Sequence, residues 1–270
     1  PGSFDAVVLN SVVQYFPDID YLLEVLSEAV RVTRRGGHIF VGDLRSLPLL
    51  GAYHSSVQLY KAPRQMLLGE LQQRIAQAQR NEKELLVDPA LFGELGRRWE
   101  KVGRVETSLK AGSYDNELSR FRYDVTMGLG EKEAAVAPQR WLSWDEAGAW
   151  RHKLEEALAL QPGLAVGVRG ISDAGQLQEA CAGIYGEDPN AVMQLARRLG
   201  VMLCWRGFSA EGVYEAIFNP RWATLQYVAD LPRNYYRRYG NAPARSVGDA
   251  ELGSVLQDYL RQSFPDYMVP

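Results

Sequence analysis

Cysteine and histidine are scarce in this sequence, with two and three residues respectively in a chain of 270. Cys181 falls in an apolar helical pattern and Cys204 in an apolar strand pattern, so both read as buried free thiols of a reducing cytoplasm. His38, His54 and His152 are far apart and lack ligand spacing, which argues against a structural metal. No apolar run approaches the roughly 20 residues of a bilayer span, and no basic segment followed by an apolar one opens the chain. An excess of either charge is also missing: 30 Lys and Arg stand against 33 Asp and Glu. Nucleic acid and anionic membranes therefore have no general electrostatic claim on it as partners. What is present is 46% hydrophobic and 23% charged residues, enough for one large core or two small ones.

The chain opens on Ala6–Leu9, a short apolar run that predicts a buried parallel strand. Pro17-Asp18 starts a helix with Ile19, Leu22, Leu23, Leu26 and Val30 on one face, and Gly36-Gly37 is expected to stop it. His38–Asp43 is a second buried strand, so strand, helix and strand form a parallel crossover unit. The aromatic and apolar run 47–60, followed by Leu67, Leu68, Leu71, Ile75 and Ala78 at helical spacing within 64–80, predicts a helical cover for the sheet edge, and Asp88-Pro89 starts a further helix with Leu91, Phe92 and Leu95 inward. Val102–Leu109 and Phe121–Val125 alternate, with turn residues at 111–113, and predict an antiparallel pair closing the sheet.

A composition shift at Gly128–Pro138 marks a boundary. Beyond it come a helix over 145–160, a strand around Leu164–Val168, helices at 176–184 and from Asp188-Pro189, and strands at Val201–Trp205 and Val213–Phe218. Residues 220–248, with Pro220, Pro232, Pro243 and the cluster Arg233–Arg238, read as a linker lying on a surface. Asp249–Gln262 is an amphipathic helix.

Three segments carry a family resemblance. Phe4-Asp5-Ala6-Val7-Val8-Leu9-Asn10-Ser11-Val12-Val13-Gln14-Tyr15-Phe16-Pro17 resembles the fourth-strand motif of methyltransferase domains in nonribosomal peptide synthetases. The run Tyr114–Val125 is similar to their sheet-closing hairpin, and Tyr259–Pro270 resembles the lead into the C-terminal subdomain of an adenylation domain. Their order is that of a methyltransferase inserted in an adenylation domain. The resemblance implies an α/β fold, a partial Rossmann-like class I methyltransferase sheet with a terminal antiparallel hairpin, plus a small second α/β unit. The expected division is 1–130 methyltransferase, 131–222 second unit, 223–248 linker and 249–270 adenylation subdomain. It further implies S-adenosylmethionine as methyl donor and an aminoacyl group tethered by phosphopantetheine to a carrier domain as acceptor. The alternative is a non-catalytic docking insertion within the adenylation domain.

Methyl transfer from a sulfonium is an in-line displacement, so the site must chiefly hold donor and acceptor aligned. In an open α/β sheet, ligands sit beyond the carboxyl ends of the strands. That places Asn10, Ser11, Val12 and Gln14 as donor-binding candidates, with Asp43 and Arg45 after the next strand and Asn116 and Arg120 near the hairpin as acceptor-binding candidates. A neutral amine needs a polar group to orient it or take its proton, for which Asn10, Tyr15, His54 and Glu117 are the candidates. Each has a plainer reading: Asn10 as a turn cap, Tyr15 as core, His54 as a satisfied helical histidine, and Asn116, Glu117, Arg120 and Arg122 as a surface charge cluster. The family's glycine-rich turn and ribose-binding acid do not precede Phe4, and Gly167–Gly170 lacks the spacing to replace the turn. The chain is therefore expected to be a piece of a larger enzyme that does not bind the donor by itself.

Overall fold

The computed structural model describes residues 2–63, 65–110, 116–145, 147–172, 187–209, 212–226, 228–244 and 259. The expected helices at 176–184 and 249–262, the turn at 111–113 and Cys181 lie outside these, apart from Tyr259, which is helical.

Strand β1 (Phe4–Asn10) lies parallel to β2 (Thr33–Arg45), pairing Ala6 with His38 through Asn10 with Gly42. Helix α1 (Ile19–Val32) connects them. Its first turn is capped by Asp18, whose carboxylate accepts the Tyr21 N–H at 2.9 Å, and its apolar face buries Ile19, Leu22, Leu23, Leu26, Ala29 and Val30. The helix ends earlier than the glycine pair predicts. Thr33 is drawn into β2 opposite Phe4 while its hydroxyl donates to the Ala29 carbonyl at 2.7 Å. Gly36, at φ 81°, instead serves the register break between Phe4 and Ala6.

Helices α2 (Leu50–Lys61) and α3 (Leu68–Arg80) pack on each other, but they correct the expectation of a cover. In α2 only His54 is buried and in α3 no residue is, while Leu67 and Leu68 are 75% and 71% exposed. Helix α4 (Ala90–Arg98) buries Leu91, Phe92 and Leu95 as its spacing requires. Strand β3 (Val102–Leu109), the short helix α5 (Glu117–Phe121) and β4 (Arg122–Leu129) complete a sheet of order β1-β2-β4-β3, with β4 antiparallel to both neighbours. Its core holds Ile39, Val41, Leu44, Tyr123, Val125 and Met127 against α1 and α4.

Lys132 is buried just past β4 and donates to the carbonyls of Gly96, Trp99 and Val102, which fastens the end of α4 to the start of β3. Burial lowers its pKa from the ordinary lysine value. The chain then leaves through β5 (Glu133–Ala135) into a second four-stranded sheet, β6 (Arg140–Ser143), β7 (Val166–Ser172), β8 (Leu203–Arg206) and β9 (Val213–Phe218), in the order β6-β7-β9-β8. Helices α6 (Ala149–Leu160) and α7 (Pro189–Arg198) pack on it around Trp150, Leu154, Val168, Leu195 and Phe218. Return is through β10 (Trp222–Thr224), antiparallel to β5, with the Leu225 N–H reaching the Lys132 carbonyl at 3.0 Å.

The segment expected as a surface linker does follow the surface of the first sheet, but it is anchored there. Helix α8 (Arg233–Tyr236) inserts Tyr236, 1% exposed, into the first core. Arg233 and Arg237 bridge to Glu24 and Asp20 on α1, and the Asn241 amide accepts from the Leu86 N–H at 2.8 Å and donates to the Glu84 carbonyl at 3.0 Å.

Candidate active site

At the carboxyl ends of β1 and β2 the chain takes two costly conformations side by side. Ser11 (φ 56°) and Asp43 (φ 66°) both sit in the left-handed region, which charges a non-glycine residue on the order of 1 kcal/mol or more. Hydrogen bonds hold them there. The Ser11 N–H donates to the Gly42 carbonyl at 3.2 Å, its hydroxyl donates to Asp43 Oδ2 at 3.0 Å, and the Asp43 N–H donates to Asp124 Oδ1 at 2.8 Å. Arg122 Nη1 reaches Asp43 Oδ2 at 2.9 Å while its Nη2 holds Glu117 at 2.9 Å. Lys110 bridges Asp124 at 2.7 Å and Asp43 at 3.4 Å. The alternation of β4 puts Arg122 and Asp124 on one face, and the antiparallel register with β2 brings that face to the corner.

Asn10 is exposed and its amide lies over Gly42, where a Cβ would come within 2.2 Å of its Oδ1 and would push that amide aside. Asn10 Nδ2 donates to Ser11 Oγ at 3.3 Å. Gln14, 5% exposed, donates through Nε2 to the Ser11 carbonyl at 3.1 Å, while its Oε1 is buried without a partner. A cleft of about 500 Å³ opens beside this corner, lined by Phe40, Lys110, Asn116, Ser119, Asp124 and Thr126.

The other predicted residues are placed differently. Tyr15 is 74% and Val12 39% exposed. Arg45, 4% exposed, belongs to a second cluster with Glu82 at 3.0 Å and Glu84 at 2.9 Å, and its guanidinium lies 4.5 Å from the Tyr53 ring centroid. His54 joins that cluster through Nε2 to Glu82 Oε2 at 3.1 Å. Burial lowers the His54 pKa against the opposing pull of Glu82. Burial also works against the charged form of Glu82, but the Glu84 N–H and Arg45 outweigh it and hold its pKa below the ordinary value. Asn116 caps α5 by accepting the Leu118 and Ser119 N–H groups at 2.9 and 3.2 Å, and Arg120 faces the seam with the second sheet, near Phe208.

The structure thus gathers Asn10, Ser11, Gln14 and Asp43 at one corner, with Glu117 attached through Arg122. Lys110, Asp124, Glu82 and Glu84 were not singled out from the sequence. They are joined to the predicted residues only by strand register and by the fold of residues 81–87, neither of which leaves a local sequence signal.

Residues 1–41 match the methyltransferase domain family. Over its whole length the chain is 35% identical to a chondramide synthase of Chondromyces crocatus, and over 98% of it 32% identical to the beauvericin nonribosomal cyclodepsipeptide synthetase of Beauveria bassiana. A nonribosomal peptide synthetase of Alternaria alternata matches all of the chain at 26% identity. The chain belongs with the methyltransferase domains of nonribosomal peptide synthetases. It spans 8%, 10% and 6% of those three relatives. Its first sheet is the Rossmann-like methyltransferase sheet of that class, and Asn10, Ser11 and Gln14 follow the first strand of the region that the family match covers. Among the described residues no helix is long and apolar enough to cross a membrane.

Proposed function

We propose that this corner is part of a site that moves a methyl group from S-adenosylmethionine to the amine of an aminoacyl group carried on phosphopantetheine. The partners are a carrier domain and an adenylation domain of one cytoplasmic synthetase. The observation that carries the reading is the pair of left-handed residues, Ser11 and Asp43, locked at neighbouring ends of parallel strands. Strain of this kind persists where the surroundings over-determine it, and it concentrates at ligand sites.

The residues present suit the donor. Gln14 Oε1 is a buried acceptor without a partner, and Asn10 offers both an amide donor and an acceptor at the surface of the corner. S-adenosylmethionine supplies an electrophilic methyl on a sulfonium. The chain's task is alignment, and the Ser11–Asp43–Arg122 lattice fixes the two strand ends on which alignment depends. Glu117, held by Arg122, orients the acceptor amine. His54, held below its ordinary pKa and bonded to Glu82, secures α2 to the rest of the fold.

In the full-length protein, Asn10→Ala should lower radiolabelled methyl transfer about 10–100-fold while pyrophosphate exchange by the adenylation domain persists. Equal loss of both activities would indicate misfolding and remove the assignment. Unchanged methyl transfer would move the donor site away from this corner, and absence of transfer by the unaltered protein would leave only a docking role for the insertion.

A further inference from the structure

The two four-stranded sheets share one wiring. In the first, the parallel pair β1–α1–β2 has β4 antiparallel beside β2 and β3 at the edge; in the second, β6–α6–β7 has β9 antiparallel beside β7 and β8 at the edge. Shared order alone says little, because small α/β sheets draw on few topologies. Here the likeness extends to single hydrogen bonds.

At the first corner the Ser11 N–H donates to the Gly42 carbonyl at 3.2 Å; at the second, the Trp144 N–H donates to the Arg169 carbonyl at 2.9 Å. The β2–β4 register breaks between Val41 and Leu44 around Asp43 at φ 66°, and the β7–β9 register breaks between Val168 and Ile171 around Gly170 at φ 74°. Just past each bulge, the carbonyls of Arg45 and Ser172 accept the N–H groups of Val87 and Glu187 at 2.9 and 2.7 Å.

Val87 and Glu187 each precede an Asp-Pro pair, and the aspartates accept the N–H groups of Ala90 and Asn190 at 2.8 and 2.9 Å. The helices that follow bury Phe92 and Leu95 in one case and Val192 and Leu195 in the other, and both end in an arginine pair. Finally, Tyr123 on β4 donates to the Val87 carbonyl at 2.9 Å, and Tyr214 on β9 donates to the Glu187 carbonyl at 3.2 Å.

We infer that residues 140–218 are a second copy of the fold of residues 4–129, one that keeps the scaffold and has lost the polar corner. The register assigns the losses. Gly170 stands where Asp43 does, Val213 opposite Ser172 stands where Arg122 does opposite Arg45, and Trp144 replaces Ser11. None of the three can rebuild the serine–aspartate–arginine lattice. The second copy is a non-catalytic lobe, and the chain carries one donor corner; the word donor here rests on the function proposed above.

The test is to graft the lattice back. If the copies are equivalent, Gly170→Asp and Val213→Arg place two side chains to meet as Asp43 and Arg122 do. Each single variant should lower the melting temperature, and the double variant should melt about 3 °C or more above the sum of the two effects. Additive losses overturn the equivalence. Should the single variants fail to fold, a crystal structure of the unaltered chain decides it: superposing β1, β2 and β4 on β6, β7 and β9 must lay Gly170 on Asp43 and Val213 on Arg122, and any other register refutes the repeat. Titration calorimetry of the full-length protein with S-adenosylmethionine should give one site, and two sites would show that the second corner is not lost. No binding at all would sink the proposed function while leaving the coupling result to stand by itself.

Discussion

Asp43→Ala removes the centre of the corner lattice, and its cost can be worked out contact by contact. Asp43 and Arg122 side chains are 11% and 10% exposed, so solvent does little to screen them. Removing one partner of a buried ion pair costs about 3–5 kcal/mol. Here Arg122 keeps Glu117 at 2.9 Å and Lys110 keeps Asp124 at 2.7 Å, which puts the loss near the lower limit, about 3 kcal/mol. Asp43→Gly loses the same contacts but relieves the backbone at φ 66°, so it should be about 1 kcal/mol more stable than the alanine variant. Urea unfolding followed by far-ultraviolet circular dichroism measures both, with an unchanged m value as the check that the denatured state is unaltered. An alanine variant within about 0.5 kcal/mol of the parent, below the scale of a broken buried pair, would refute the lattice; glycine below alanine would refute the strain.

Two further expectations concern other parts of the molecule. His54 has a folded-state pKa below its ordinary 6.5, so protons favour the unfolded chain, and its contribution is present above pH 6.5 and lost as pH falls below it. Glu82, lowered from 4.5, adds a further loss below that pH, and stability curves of His54→Gln should flatten in the upper window while keeping the lower one. Tyr236 bonds to Asp230 at the far side of the first core; Tyr236→Ala should cost about 3–5 kcal/mol as a cavity, whereas Tyr236→Phe should cost only about 1 kcal/mol, and equal costs would show that packing does not anchor the strap.

Where apolar periodicity is local, sequence and structure agree closely. The α1 stripe, the β3 span and the Asp-Pro start of α4 needed no partner to define them. The failures share a different cause. Gly36-Gly37 resembles a helix stop, but the ladder with Phe4 claims Thr33 first, so a tertiary pairing overrode a local terminator. Leu67 and Leu68 promised a buried face that the fold does not cover. At the candidate site, the strand-end rule picks out Asn10, Ser11, Gln14 and Asp43, which the fold gathers at one corner, because that rule depends only on knowing where two parallel strands end. It could not join Arg122 to Asp43, 79 residues apart, since that contact depends on β4 lying next to β2 in one register. Tyr236 was hidden for the same reason, as a prolines-and-arginines segment gives no hint that one tyrosine belongs to a core built more than a hundred residues earlier.

The narrow neck made by β5 and β10 bears on how such a chain is assembled. Its two legs pair residue for residue, Trp222 with Ala135 through Thr224 with Glu133, and the returning chain touches Lys132 again at Leu225. Everything between is closed off by this stem, and it also packs back on the first sheet where β8 meets β3. Yet that sheet is finished only when Tyr236 arrives. During synthesis from the N-terminus, the second lobe must therefore be made while the first core still lacks Tyr236, and zipping of the stem is the step that brings it near.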